Sequence, residues 1–238
     1  YSIWSAICLP AYIEFKCGNS GINGKYFDHG ARDGKEIEMF CLGGKSADRD
    51  LIENKEYLKF VKMLSYSDIY LNNLQNCNVR AVLAYSWRLR SFADYVQQLE
   101  MESLGKQPNG QWESTGQIIF GGYGPTAQHS YFQLLHQGTA NVAADIIVSK
   151  EDSNSLAYAQ AITQAKLLSN RDKKDVMGKT HVNLFLLNKL DPYTLGYLIA
   201  TWEHRTFITA AMLEINPFDQ FGVEVGKKLT RTFLKDNQ

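Results

Sequence analysis

Between residues 78 and 168 the chain alternates short apolar runs with amphipathic stretches, and this alternation constrains its fold more than any other feature. Residues 78–85 form an apolar run of strand length. A helical pattern follows over about residues 87–102, with Leu89, Phe92, Tyr95, Val96 and Leu99 on one face. Pro108 and Gly110 then close that unit. The pattern repeats: residues 117–120 predict a strand, 121–126 a tight loop and 127–137 a helix. Residues 144–148 predict a third strand and 156–168 a further helix. Strands separated by crossovers of this length pair in parallel, and a parallel sheet needs helices on both faces. The expected fold is therefore α/β, a parallel sheet flanked by helices, with a C-terminal helical extension.

The flanks are less regular. Residues 1–16 are apolar and aromatic, and helical where their polar positions allow. Residues 17–50 carry seven glycines, including Gly43 and Gly44, a density of breakers that predicts loops around short elements. Apolar residues recur at helical spacing from Leu51 onward, predicting one or two helices that end at Asn72 and Asn73. After an apolar run at residues 182–187, Asp191 as N-cap and Pro192 at the first helical position start a long helix reaching about Leu213. Residues 222–234 predict a last amphipathic helix.

Twenty-five basic and 25 acidic residues give zero net charge without any basic run, which argues against nucleic acid or an anionic membrane as partner. The apolar opening lacks a basic flank and is interrupted by Pro10, Glu14 and Lys16, so it reads as neither signal peptide nor membrane span. Cys8, Cys17, Cys41 and Cys77 have no CxxC spacing, as expected of reduced cytosolic thiols rather than a disulfide frame or zinc site. His129 and His136, seven apart, share a helix face without a third ligand. They read as buried, hydrogen-bonded histidines, and neither metal nor cofactor is expected.

Ligands of open α/β sheets bind beyond the carboxyl ends of the strands. Gly121, Gly122 and Gly124 lie at such an end, where their amides approach an anion or a sugar hydroxyl, or where the glycines merely permit a tight turn. The GxGxxG spacing and the following acidic residue of a dinucleotide site are absent.

Two stretches carry a family resemblance. Phe218, Asp219, Gln220, Gly222, Val223, Glu224 and Lys227 resemble the C-terminal signature of the glucose-6-phosphate isomerases, and residues 120–139 resemble that family's other strong motif. The resemblance implies a sugar-isomerase (SIS-type) three-layer sandwich, a sugar phosphate as substrate, a cytosolic homodimer and no cofactor. It matches Lys227 to the lysine at the sugar's ring oxygen and Gln220 to the glutamine at the phosphate end. It makes His204 a packing and interface residue on the long helix. The run from Tyr1 to Ala6 resembles one that lies past the family's midpoint, so the chain is expected to be a C-terminal portion. Residues 1–76 would then link to an N-terminal half, 77–190 form the α/β domain and 191–238 carry the signature.

The departures are specific. The family's glutamate, its proton-transferring base, falls on Gly122 when the motifs are aligned without gaps. Its ring-opening histidine, which serves the neighbouring subunit, falls near Ser153, and residues 149–154 contain no histidine. Tyr123 stands for a proline, Pro125 and Thr126 stand for Thr-Asn, and Ala210 takes a position usually glycine or serine. Glu100 and Glu102 lie nearby in sequence, but neither is favoured as a replacement base. The family's serine- and threonine-rich phosphate loop belongs to its N-terminal half and has no counterpart here.

Overall fold

The computed structural model describes residues 34–170 and 179–236. Within them β1 (Val79–Ala84), β2 (Ile118–Tyr123), β3 (Asn141–Ser149) and β4 (Lys179–Leu187) form a sheet in the order β2-β1-β3-β4. Every pairing is parallel, with Ala84 opposite Tyr123 on one side and Ile147 on the other. The helices are α1 (Gly34–Glu53), α2 (Lys55–Ile69), α3 (Phe92–Leu104), α4 (Gly124–Ala127), α5 (Phe132–Gln137), α6 (Leu156–Ser169), α7 (Pro192–Met212) and α8 (Phe221–Asp236).

Strand alternation splits the core in two. Val82, Ala84, Ile119 and Ile147 face α2, α3 and α7, where Leu64, Phe92, Val96 and Trp202 meet them. Ala81, Leu83, Ala144, Ile146 and Val148 face the other way, onto Phe132 and Leu135 of α5 and Ala161, Ala165 and Leu168 of α6. Three layers result, as expected of a parallel sheet. Asp191 caps α7, its Oδ1 accepting from the Thr194 amide at 2.8 Å, and Pro192 occupies the first turn. The expectations for residues 1–33 and 171–178 lie outside the described residues.

Four local expectations are corrected. Residues 34–50, expected as loops, belong to the 20-residue α1. Their glycines serve close packing: a Cβ on Gly43 would lie 1.9 Å from the Tyr193 carbonyl oxygen, and one on Gly196 of α7 would lie 2.0 Å from that of Phe40. Strand β2 runs through Gly121 and Gly122 to Tyr123 rather than stopping at Phe120. The helix expected over 127–137 is two short ones. Between them Tyr131 leaves the helical path at φ −143° and sets its ring 5.0 Å from Phe120 and 6.1 Å from Phe132. In the preceding segment, residues 87–89 form a 3₁₀ turn and the α-helix proper begins at Phe92.

Beneath the sheet, Asp68, Arg80, Glu100, Asp145 and Arg205 bring five ionisable side chains into one buried cluster. Arg205 grips Asp68 in a two-pronged contact at 2.6 and 2.7 Å and donates to Asp145 at 2.7 Å. Arg80 bonds Asp68 and Glu100, and Asn183 donates to the other oxygen of Asp145 at 2.8 Å. Burial alone would raise Asp68, but Arg205 and Arg80 hold its carboxyl below the ordinary value. Burial prevails at Glu100 and pushes its carboxyl up despite Arg80.

Candidate active site

The carboxyl ends of the strands gather most of the groups at issue. Gly121 and Gly122 close β2 with φ of +150° and +141°, conformations that side-chain-bearing residues rarely adopt. A Cβ on Gly121 would also lie 2.0 Å from the Val82 carbonyl oxygen across the sheet. Around Gly122 nothing among the described residues lies within 4 Å of such an atom, so there the backbone favours glycine. Gly124 then packs against the ring of Tyr85, where a Cβ would come within 2.4 Å. Gln128 donates to the Tyr85 hydroxyl at 3.1 Å, and burial pushes that phenol up to about 12.

On the neighbouring strand, β1 ends at Ala84 and the chain turns through Ser86 into the 3₁₀ turn. Trp87 stands edge to face with Tyr123, ring centres 5.2 Å apart, and the Arg90 guanidinium lies over the indole at 4.8 Å. Arg90 also donates to the Trp87 carbonyl at 3.1 Å. Arg88 reaches across to the ends of β3 and β4, bonding Glu151 at 3.2 Å and the Leu190 carbonyl. The Leu190 amide donates to Glu151 at 2.7 Å, and with Arg88 it holds that carboxyl below its ordinary value. Ser149 accepts from the Glu151 amide, shaping the turn Lys150–Asp152 that leads to Ser153.

The signature residues sit apart from this edge. The loop between α3 and β2 holds the segment that leads to them: Trp112 donates to the Met212 carbonyl at 3.2 Å, Asn109 to that of Glu214, and Lys106 to that of Asp219. That loop enters the amino end of β2, whereas Gly121 and Gly122 lie at its carboxyl end. Gln220 accepts, through its carbonyl, the amides of Val223 and Glu224 at the start of α8. Helix α8 is exposed along its described length. Glu224, Lys227, Lys228, Arg231 and Lys235 share its polar face. Phe221, Val225 and Leu229 mark its apolar side. Lys227 has no hydrogen-bond partner among the described residues, and the structure does not set it against the Gly121–Gly122 turn.

Other candidates are placed plainly. Glu100 is buried in the ion cluster, and Glu102 is exposed at the end of α3. His129 is exposed, in the turn between α4 and α5, which corrects its reading as a buried helical histidine. His136 is half-buried and bonds Gln164 at 2.8 Å. His204 is a packing residue, with Tyr57 at 3.0 Å on one ring nitrogen and Asp48 at 3.0 Å on the other. No group of three metal-ligating side chains occurs among the described residues, and no described helix is long and apolar enough to cross a membrane. Sequence reasoning missed the Trp87, Arg88 and Arg90 turn, because 87–102 read as one helix. It also passed over the signal of Arg80 and Asp145, two charges inside otherwise apolar strand runs.

A model of the phosphoglucose isomerase family matches residues 1–174 and 158–238. Glucose-6-phosphate isomerase 2 of Neisseria meningitidis serogroup B is 32% identical over 266 residues, a match covering 98% of this chain and 46% of that protein. The glucose-6-phosphate isomerase of Novosphingobium aromaticivorans is 35% identical, covering 97% and 45%. The chain thus spans about half the length of the curated relatives it matches. A crystal structure of a glucose-6-phosphate isomerase from Chlamydia trachomatis superposes with a TM-score of 0.74 at 27% identity, over 84% of this chain and 43% of that one. A hypothetical protein of Thermus thermophilus shares the fold, with a TM-score of 0.69 at 23% identity, over 83% of this chain and 50% of that one. With a family model matching from end to end and a parallel three-layer fold shared with a solved isomerase, the chain belongs to the phosphoglucose isomerase family.

Proposed function

We propose that the protein carrying this chain is a glucose-6-phosphate isomerase, with this chain as its C-terminal portion. It interconverts glucose 6-phosphate and fructose 6-phosphate by ring opening and proton transfer through an enediol. The observation that carries the reading is the signature from Phe218 to Lys227, which leads into a helix whose polar face carries Lys227, Lys228, Arg231 and Lys235 beside Glu224. Such a cationic face suits a phosphorylated sugar. Lys227 supplies a compact positive donor at the ring oxygen, stabilising charge as the ring opens. Gln220 takes the phosphate end, and the amides of Gly121 and Gly122 face the sugar at the carboxyl edge of β2. The enzyme is a cytosolic homodimer on a SIS-type scaffold, by resemblance to the family, in which the segment matching residues 149–154 serves the neighbouring subunit.

Lys227→Ala in the complete gene product is expected to lower kcat/KM roughly 10²-fold, the scale of losing one electrostatic donor to a developing charge. Its melting temperature should stay unchanged, because Lys227 is exposed and has no partner among the described residues. Unaltered turnover would remove Lys227 from the site. One observation favours a second reading, a non-catalytic sugar-phosphate-binding protein on the same scaffold. The position matched to the base is Gly122, whose φ of +141° suits no glutamate.

A further inference from the structure

Trp87 is 61% exposed, whereas Trp202 is fully buried. An indole is the largest apolar side chain the chain possesses, and leaving one in water forgoes most of the stabilisation its burial would bring. Nor is it loosely held. The Leu89 amide bonds the Ser86 carbonyl at 3.0 Å and the Arg90 amide bonds the Trp87 carbonyl at 3.2 Å, fixing the turn. Arg88, the next residue, pins the turn to Glu151 and the Leu190 carbonyl. Tyr123 and the Arg90 guanidinium hold the ring itself. Fixed aromatic surface of this kind, at the carboxyl edge of a parallel sheet and against the residue that follows Gly122, lies where ligands of open α/β sheets bind.

We propose that Trp87 is a specificity contact for the hexose of the substrate, the C–H-bearing face of the carbohydrate lying on the exposed indole. This rests on the function proposed above and adds a residue that the signature motifs do not contain. A carbohydrate's C–H groups are its apolar, slightly positive side, and the indole face is electron-rich, so the two surfaces are complementary. Tyr123 belongs to the same arrangement. Where the family motif has proline, this chain has a second aromatic ring that braces the first. Arg90 holds the indole from another side, its guanidinium carbon 4.8 Å from the ring centre and its Nη1 donating to the Trp87 carbonyl.

The test uses Trp87→Ala and Trp87→Phe in the complete gene product, with binding and turnover measured separately. Binding of glucose 6-phosphate by calorimetry is read beside binding of inorganic phosphate, which lacks a carbon skeleton. Trp87→Ala should weaken glucose 6-phosphate about tenfold, the scale of losing one aromatic contact surface. Trp87→Phe should keep part of the affinity, and inorganic phosphate should bind all three proteins alike. For the reaction, KM should rise with kcat held within about twofold, the pattern of a contact made equally in ground and transition states. Unchanged glucose 6-phosphate affinity in Trp87→Ala, or an equal loss for inorganic phosphate, would overturn the proposal. Wild-type turnover with an unaffected Trp87→Ala variant would sink the aromatic contact alone. A wild-type protein that neither binds nor converts the sugar phosphate would sink the isomerase reading as well.

Discussion

At Gly122 a glutamate would meet no described residue within 4 Å of its Cβ, yet would not find a relaxed backbone, because φ is +141° there and a Cβ makes that conformation costly. The departure from the family motif is therefore built into the main chain of β2, and the proposed reaction would need its base from another residue. Glu100 is not free to serve, because it is buried and bonded to Arg80. Its cluster has a structural role: Arg205 alone joins α7 to Asp68 on α2 and Asp145 on β3. Removing one partner of a buried ion pair leaves uncompensated charge, and Arg205→Ala is expected to cost about 3–5 kcal/mol. Urea unfolding would show this as a lowered midpoint with an unchanged slope. A loss below about 1 kcal/mol would mean that water reaches the cluster.

Among the elements, α1, α2 and α7 form a unit on one face of the sheet, packed by Ala47, Tyr57, Val61 and Ala200. His204 ties all three, through Asp48 of α1 and Tyr57 of α2. Burial lowers the imidazole below its ordinary value of 6.5, with Asp48 opposing. Between 6.5 and that lower folded value the unfolded chain binds more protons than the folded one, so stability rises with pH across this window. It is lost as pH falls through the folded value. The stability gained between pH 5 and pH 8 should shrink in His204→Asn, measured by urea midpoints at both values; an identical gain would show that another group titrates there. These elements also mark what the sequence disclosed. The parallel sheet and the start of α7 were legible because apolar runs, helical spacing, Asp191 and Pro192 are local signals. Helix α1 was not, since Gly43 and Gly196 act by letting two helices approach, a tertiary reason that reads locally as a break. The strained end of β2 was missed for the same cause: Gly121 answers to Val82 on another strand. Of the candidate site, the glycines and the signature lysine were visible in motifs. The fixed turn at Trp87 was not, because its anchors Glu151 and Leu190 are distant in sequence.

For the molecule as a whole, the Gly121–Gly122 turn lies at the carboxyl edge of the sheet and Lys227 on a separate exposed helix. The proposed reaction needs both in one site, in a protein whose curated relatives are about twice this chain's length. The most direct test is conversion of glucose 6-phosphate by the complete gene product in deuterated water, with deuterium at C2 followed by proton NMR. The expected result is turnover to fructose 6-phosphate together with solvent deuterium entering at C2, as an enediol requires. Binding of the sugar phosphate with neither turnover nor exchange would contradict the isomerase assignment, and would leave a sugar-phosphate-binding protein on an isomerase scaffold.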